Sequence, residues 1–236
     1  MNDVALAVRG SGGLWRVAGR RLRHDRAALA AAALGALLVI LALAGPAFSP
    51  YSYDTLDWQH LAAPPLHAAS HWLGTDRLGR DLFVRTTSGV RISLLVSLLA
   101  TAVSLIVGVA WGAVSGYVGG RTDGLMMRFV DVLYSLPYLF IVIILTTLFT
   151  RGSLLVLCVS IGAVGWLTTA RIVRAETLAL KRREFIEAAR ATGLTTPAIL
   201  LRHILPNLAG PVVAYALLTL PQMILFESFL SFLGLG

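Results

Sequence analysis

The sequence predicts an all-α polytopic membrane helical bundle, and three observations carry that reading. The 236 residues are 57% hydrophobic and only 14% charged, with a mean hydropathy of +0.78; a soluble domain of this length is not so apolar. Five uncharged runs, at 27–48, 92–118, 132–150, 152–170 and 208–226, each approach or exceed the roughly 18 residues that mark a membrane span. The twenty Lys and Arg residues then divide fifteen to five between alternate sides of those runs. The richer side holds the N-terminus and the stretch between the fourth and fifth runs, so both are expected in the cytoplasm. The net charge of +8 follows from the same flanking residues, and no recognition module accompanies them, so no nucleic-acid partner is expected. The single cysteine, Cys158, lies inside the fourth run and excludes an internal disulfide or a cysteine-cluster metal site.

Residues 1–26 read as a basic cytoplasmic lead-in with Trp15 as an interfacial anchor, and 27–48 as the first span. That run is longer than the 7–15 apolar residues typical of a cleavable signal peptide. Residues 49–90 form an external segment with Pro50, Pro64 and Pro65 and the aromatics Tyr51, Tyr53, Trp58 and Trp72, which suit the membrane interface. Within it Gly74 and Gly79 allow tight turns, Asp76 can cap the turn that follows, and Asp81 can pair with Arg85 one turn on. His67 and His71 stand one helical turn apart, with His60 upstream. Pro64 and Pro65 interrupt any helix there and no carboxylate–histidine motif surrounds the three, so no metal ligand is expected.

Residues 91–236 make up the transmembrane core. In the second run Ser104, Gly108, Gly112, Gly116 and Gly120 recur every four residues, a row of small side chains that permits close helix packing. Ser93, Ser97 and Thr101 form another row, either lining a polar path or bonding their own backbone. The sequence GRTDG at 120–124 reads as a turn, after which Arg128 and Asp131 can pair three residues apart on one helix. Residues 184–206, EFIEAARATGLTTPAILLRHILP, read as two short helices. The first is Ala-rich and closes at Gly193; the second is capped by Thr196, has Pro197 in its first turn, and is stopped by Pro206. Such a rigid hairpin suits transmission of force to a partner, and it is also the chemistry of an interfacial linker. Glu227 is the one carboxylate well inside an apolar run. A charge at the bilayer centre costs roughly 2.5–3.5 kcal/mol or more, so Glu227 is expected to face protein or water, as a gate or a structural group.

Enzyme chemistry finds little support in the residues. Lys181 is the only lysine and follows Leu180, so there is no Walker A loop to cradle ATP. The sequence GAVSG at 112–116 places a serine before a glycine, but none of the five histidines lies in a span to activate it, and there is no HExxH. A stand-alone channel or structural membrane protein, and more remotely an intramembrane enzyme, remain as alternatives to transport.

Three motifs resemble one family. Glu187-Ala188-Ala189, Gly193 four residues on, and Leu205-Pro206 resemble the EAA loop of membrane subunits in binding-protein-dependent ABC importers. His203 stands where the general pattern has isoleucine, as in the peptide and nickel branch. The run HWLGTDRLGRD at 71–81 resembles the "HPLGTDxxGRD" signature of dipeptide, oligopeptide and nickel permeases of the DppC/OppC type, with Trp72 in the usual proline position. Its Gly74, Thr75, Asp76, Gly79, Arg80 and Asp81 are the signature residues. LSFLGLG at 230–236 is similar to the same permeases, which continue into a sixth span, so truncation is expected here.

This resemblance implies a type I ABC importer permease fold and multi-pass residence in the cell inner membrane, in contact with lipid. It implies that residues 184–206 are the coupling loop, lying in a cleft on cytoplasmic ATPase subunits. A second homologous permease and an external solute-binding protein would complete the assembly. No cofactor is expected in this chain, and ATP and Mg would be bound by the ATPase subunits. Peptide, nickel, glutathione or another small solute fit the resemblance equally.

Overall fold

The computed structural model describes residue 19 and residues 24–66, 71–149 and 153–234. His67, Trp15, Arg151 and the last two residues, Leu235 and Gly236, lie outside them. The regular structure of the described residues is helical, with no strand; one isolated bridge joins Thr75 to Asp81. Two structural units divide at Arg91 and Ile92.

In the first unit, helix α1 (Arg26–Ala44) begins where Asp25 accepts the backbone N–H groups of Ala27 and Ala28 at 3.0 and 3.1 Å. Those two donors have no partner within the helix, so a carboxylate there stabilises its start. Most of its leucines are exposed, Leu34 by 60% and Leu43 by 64%, as a helix solvated by lipid allows. A short 3₁₀ turn (Gly45–Phe48) follows. The described residues after it, 49–66 and 71–81, carry no helix before α2 (Leu82–Val118), whose first turns belong to this unit.

The second unit holds the rest of α2 and helices α3 (Gly120–Ser135), α4 (Tyr138–Leu148), α5 (Leu154–Lys181), α6 (Glu184–Ala191), α7 (Thr196–Ile199) and α8 (Leu205–Phe232). The third apolar run is broken. Helices α3 and α4 meet at 84° because the ring of Pro137 forces Leu136 out of the helical region, to φ −80° and ψ 140°. Among the described residues four helices are long and apolar enough to cross a membrane, or five if the bent pair counts as one span.

The row of small residues on α2 is a packing seam against α5. A methyl on Gly108 would lie 2.5 Å from Thr169 Cβ, one on Gly112 2.4 Å from the Ala170 carbonyl oxygen, and one on Gly116 2.8 Å from the Arg174 carbonyl oxygen. Ser104 bonds Thr169 at 3.3 Å. The row ends at Gly116, because α2 stops at Val118 and Gly120 opens α3 at φ +60° with nothing approaching it. The second row behaves as hydroxyls in spans commonly do at Ser97, which donates to the Leu94 carbonyl at 3.1 Å.

Pro206 does not stop a helix, contrary to the sequence reading. It sits in the first turn of α8, immediately after a π-helical turn (Leu200–Ile204) in which the Leu205 N–H reaches back five residues to the Leu200 carbonyl. The inserted residue shifts the hydrogen-bond register just where the proline has no N–H to offer, and the chain continues as helix. Thr195, not Thr196, occupies the capping position of α7, without a side-chain bond, and Pro197 stands in its first turn.

Candidate functional sites

The hairpin at 184–206 has two faces of different chemistry. Ile186, Ala189, Ile199 and Ile204 are buried with Ala113 and Tyr117 of α2 and Val173 of α5. Glu184, Phe185, Glu187, Ala188 and Leu201 are exposed. The turn between α6 and α7 is a Schellman closure: Leu194 donates to the Ala189 carbonyl at 3.2 Å and Gly193 to the Arg190 carbonyl at 2.9 Å. The closure places Gly193 at φ +80°, in the left-handed region that glycine enters without strain. Glu184 and Glu187 occupy the first turn of α6 and Arg190 its last, each sign matched to the helix dipole. Arg190 Nε donates to Tyr117 Oη at 3.2 Å, and Lys181 Nζ lies 5.6 Å over the same ring. Beside this contact the Asp123 carboxylate accepts two bonds from Arg174, both 2.5 Å, and one from Ser115 at 2.5 Å. That clamp ties α2, α3 and α5 together. Asp131 pairs with Arg171 at 2.6 Å and not with Arg128 on its own helix, because Arg171 is stacked 4.3 Å over Tyr134 and so is presented to the carboxylate.

The signature loop at 71–81 clasps the segment before it. Thr75 N–H donates to the Ala63 carbonyl at 3.0 Å, and Thr75 Oγ1 accepts from Ala63 N–H at 2.9 Å and donates to the His60 carbonyl. Asp57 N–H donates to the Gly79 carbonyl at 3.0 Å. Gly74 and Gly79 have φ +78° and +77°, and a Cβ on them would lie 2.2 Å from the Ala63 carbonyl oxygen and 2.1 Å from that of Asp57. Only glycine fits such backbone contact. Asp76 accepts the N–H groups of Leu78 and Arg80 and the Arg80 Nε at 2.8–3.0 Å. The Arg80 backbone bond leads the causes that hold its carboxyl below the usual value against the opposing effect of burial.

Asp81 does not pair with Arg85. Its Oδ1 caps α2 at the Val84 N–H, 2.8 Å away, and its Oδ2 lies 2.8 Å from His71 Nδ1; Arg85 instead stacks 4.6 Å over Tyr53. His71 is fully buried beneath the ring of Tyr51, 4.2 Å away, and its Nε2 lies 3.2 Å from Asp57 Oδ2. His60 Nδ1 approaches the same oxygen at 2.9 Å. Burial works against a charged His71, but the bonds to Asp81 and Asp57 outweigh it and raise its pKa. Asp57 is lowered to about 2 by its bonds to His60 first and then His71. Where the sequence reading found no carboxylate–histidine motif, Asp57 and Asp81 therefore stand against the histidines. Asp57, three residues before His60, was the legible signal, and the extended chain folds it back onto His71.

Glu227 is 3% exposed and accepts from Ser231 at 2.8 Å and more weakly from Ser228 at 3.5 Å, hydroxyls of its own helix. A cavity of about 310 Å³ opens where the bent α3–α4 pair meets α5 and α8; Tyr134, Tyr138, Thr168, Gln222, Met223 and Phe226 line part of it. Sequence reasoning passed over Tyr134 and Gln222. The proline at 137 and a lone amide inside an apolar run were the available signs.

Known proteins match this chain along most of its length. The family model described as "Binding-protein-dependent transport system inner membrane component" matches residues 108–236. That described as "N-terminal TM domain of oligopeptide transport permease C" matches residues 13–65. The oligopeptide transport system permease protein OppC of Haemophilus influenzae is 49% identical over 223 residues, which is 94% of this chain and 71% of that protein. OppC of Escherichia coli K12 is also 49% identical, over 94% of this chain and 74% of its own length. The dipeptide transport system permease protein DppC of Bacillus subtilis is 43% identical over 92% of this chain and 67% of its own. This multi-pass, all-helical chain is a transport permease and not an enzyme, and it belongs to the family of binding-protein-dependent transport system inner membrane components.

Proposed function

We propose that this chain is the permease subunit of a peptide importer and that residues 184–206 couple it to ATP hydrolysis in partner subunits. The observation that carries the coupling role is the division of the hairpin. Its apolar face is seated on α2 and α5, while Glu187 and Ala188 are presented outward on a helix whose direction Gly193 fixes. Ala188 is small enough for a partner surface to approach closely, and Glu187 supplies a charge to pair with it. Ala189, packed at the closing turn, and Leu205 and Pro206, where the hairpin re-enters α8, hold that face in place.

In this reading the N-terminus and the hairpin are cytoplasmic, as the fifteen-to-five division of Lys and Arg favours. The domains are a basic lead-in at 1–26, a first span at 27–48, an external segment at 49–90 and a permease core at 91–236. A second permease pairs with this one, ATPase subunits bind ATP and Mg, and an external binding protein delivers the solute near Gly74, Thr75, Asp76, Gly79, Arg80 and Asp81. Glu227 is a structural carboxylate satisfied within its helix. Peptide is favoured as the solute by the oligopeptide and dipeptide systems in which the relatives are named.

Reconstitution tests the proposal. Proteoliposomes containing this chain, its partner permease and the ATPase subunits, supplied with the binding protein, should take up a labelled short peptide only with ATP. ATP hydrolysis stimulated by another solute, with no peptide uptake, would contradict the peptide assignment.

A further inference from the structure

We propose that Asp57, His60 and His71 form a site for one divalent transition-metal ion of the zinc class, which staples the 57–60 segment to the signature loop. One donor atom from each residue lies within 4.8 Å of the other two. Bonds of about 2.0–2.1 Å to nitrogen and oxygen put tetrahedral donors about 3.3 Å apart. Asp57 Oδ2 is already 2.9 Å from His60 Nδ1 and 3.2 Å from His71 Nε2. A movement of a few tenths of an ångström brings these two contacts to that spacing, and the two ring nitrogens, which lie within 4.8 Å of each other, close around the same point.

The surroundings hold the ligands as metal sites require. Asp81, itself 2% exposed, bonds His71 Nδ1 at 2.8 Å, which keeps a proton on Nδ1 and makes Nε2 the nitrogen that gives up its proton to bind metal. This carboxylate–histidine–metal arrangement fixes the tautomer and makes the ring a better ligand. The Tyr51 ring stacks on the imidazole, and the bond from Asp57 N–H to the Gly79 carbonyl pins the third ligand. Two imidazoles and one carboxylate suit Zn(II) and Co(II) and are a poor set for Mg(II) or Ca(II), which prefer oxygen. His60 and Asp57 have side chains 37% and 20% exposed, which leaves the fourth position to water and the ion a route in. When the ion binds, the proton that His71 Nε2 gives to Asp57 leaves to solvent, and His60, which donates to Asp57 from Nδ1, moves its proton to Nε2.

The untagged chain, purified with its partner subunits and stripped with EDTA, tests this with Zn(II) and with Co(II) as a spectroscopic probe. Zn(II) should bind at one equivalent and slow hydrogen exchange in 57–63 and 71–81. Co(II) should give the intense visible absorption of four-coordination. Asp57→Asn and His60→Ala should each lower Zn(II) affinity at least tenfold and abolish the Co(II) band. Asp81→Asn, which keeps a cap for α2, should lower affinity about 10- to 100-fold. His203→Ala on the hairpin should change nothing. Absence of stoichiometric Zn(II) binding would overturn the proposal and leave a buried ion-pair relay. Binding that survives both Asp57→Asn and His60→Ala would overturn it too, placing the ion elsewhere.

Discussion

Gly79 shows how much a single missing side chain decides. A methyl there would meet the Asp57 carbonyl oxygen at 2.1 Å and also force a non-glycine residue to φ +77°. Gly79→Ala should cost about 2 kcal/mol or more, read as faster hydrogen exchange in 57–63 and 71–81 with the spans unchanged. Asp76 supplies a pH dependence in the same loop. Its carboxyl is depressed by the Arg80 N–H and the Arg80 side chain, so its contribution is present above its ordinary pKa of 3.8 and is lost as pH falls through the lower folded value. Protection in 71–81, taken relative to the intrinsic exchange rate at each pH, should fall only below that ordinary value, and Asp76→Asn should flatten the acid limb. The turn-forming role of Gly74, Gly79 and Asp76 was legible because each acts within a few residues of itself. The partner of Asp81 was not: His71 reaches it from ten positions away, where no local spacing rule applies, and the helical spacing pointed to Arg85 one turn on.

At the scale of elements, the α2–α5 seam depends on residues with no side chain to offer. Gly112→Val would drive its Cβ to 2.4 Å from the Ala170 carbonyl oxygen, and neither helix backbone can yield as a flexible side chain would. The expected loss is about 1–3 kcal/mol, measured as a lower thermal midpoint in detergent, whereas Gly124→Ala, with open space around it, should leave the midpoint unchanged. The four-residue spacing of the seam was readable because it repeats the helix period. The 84° break between α3 and α4 was marked only by Pro137, and the π-turn before Pro206 was not marked at all, since a proline that ends one helix and a proline that starts another look alike in sequence.

Across the whole molecule, the side of the membrane that each segment faces decides which partner the hairpin can meet. The charge division predicts that Arg183→Cys is protected from impermeant thiol reagents outside intact cells while Trp58→Cys is labelled. In the proposed function the exposed face of α6, aimed by Gly193, transmits ATPase motion to the permease. The most direct test is ATP hydrolysis by the reconstituted complex, stimulated by loaded binding protein, in Glu187→Lys and Gly193→Val variants alongside co-purification of the ATPase subunits. Both substitutions lie on the outer, solvent-facing side of the hairpin, where Glu187 and Gly193 are exposed, so both variants should insert and expose the external segment normally. The account predicts that they lose stimulation, Gly193→Val through a misdirected turn and Glu187→Lys through a reversed charge at the docking face. Wild-type stimulation and wild-type co-purification in both variants would contradict it.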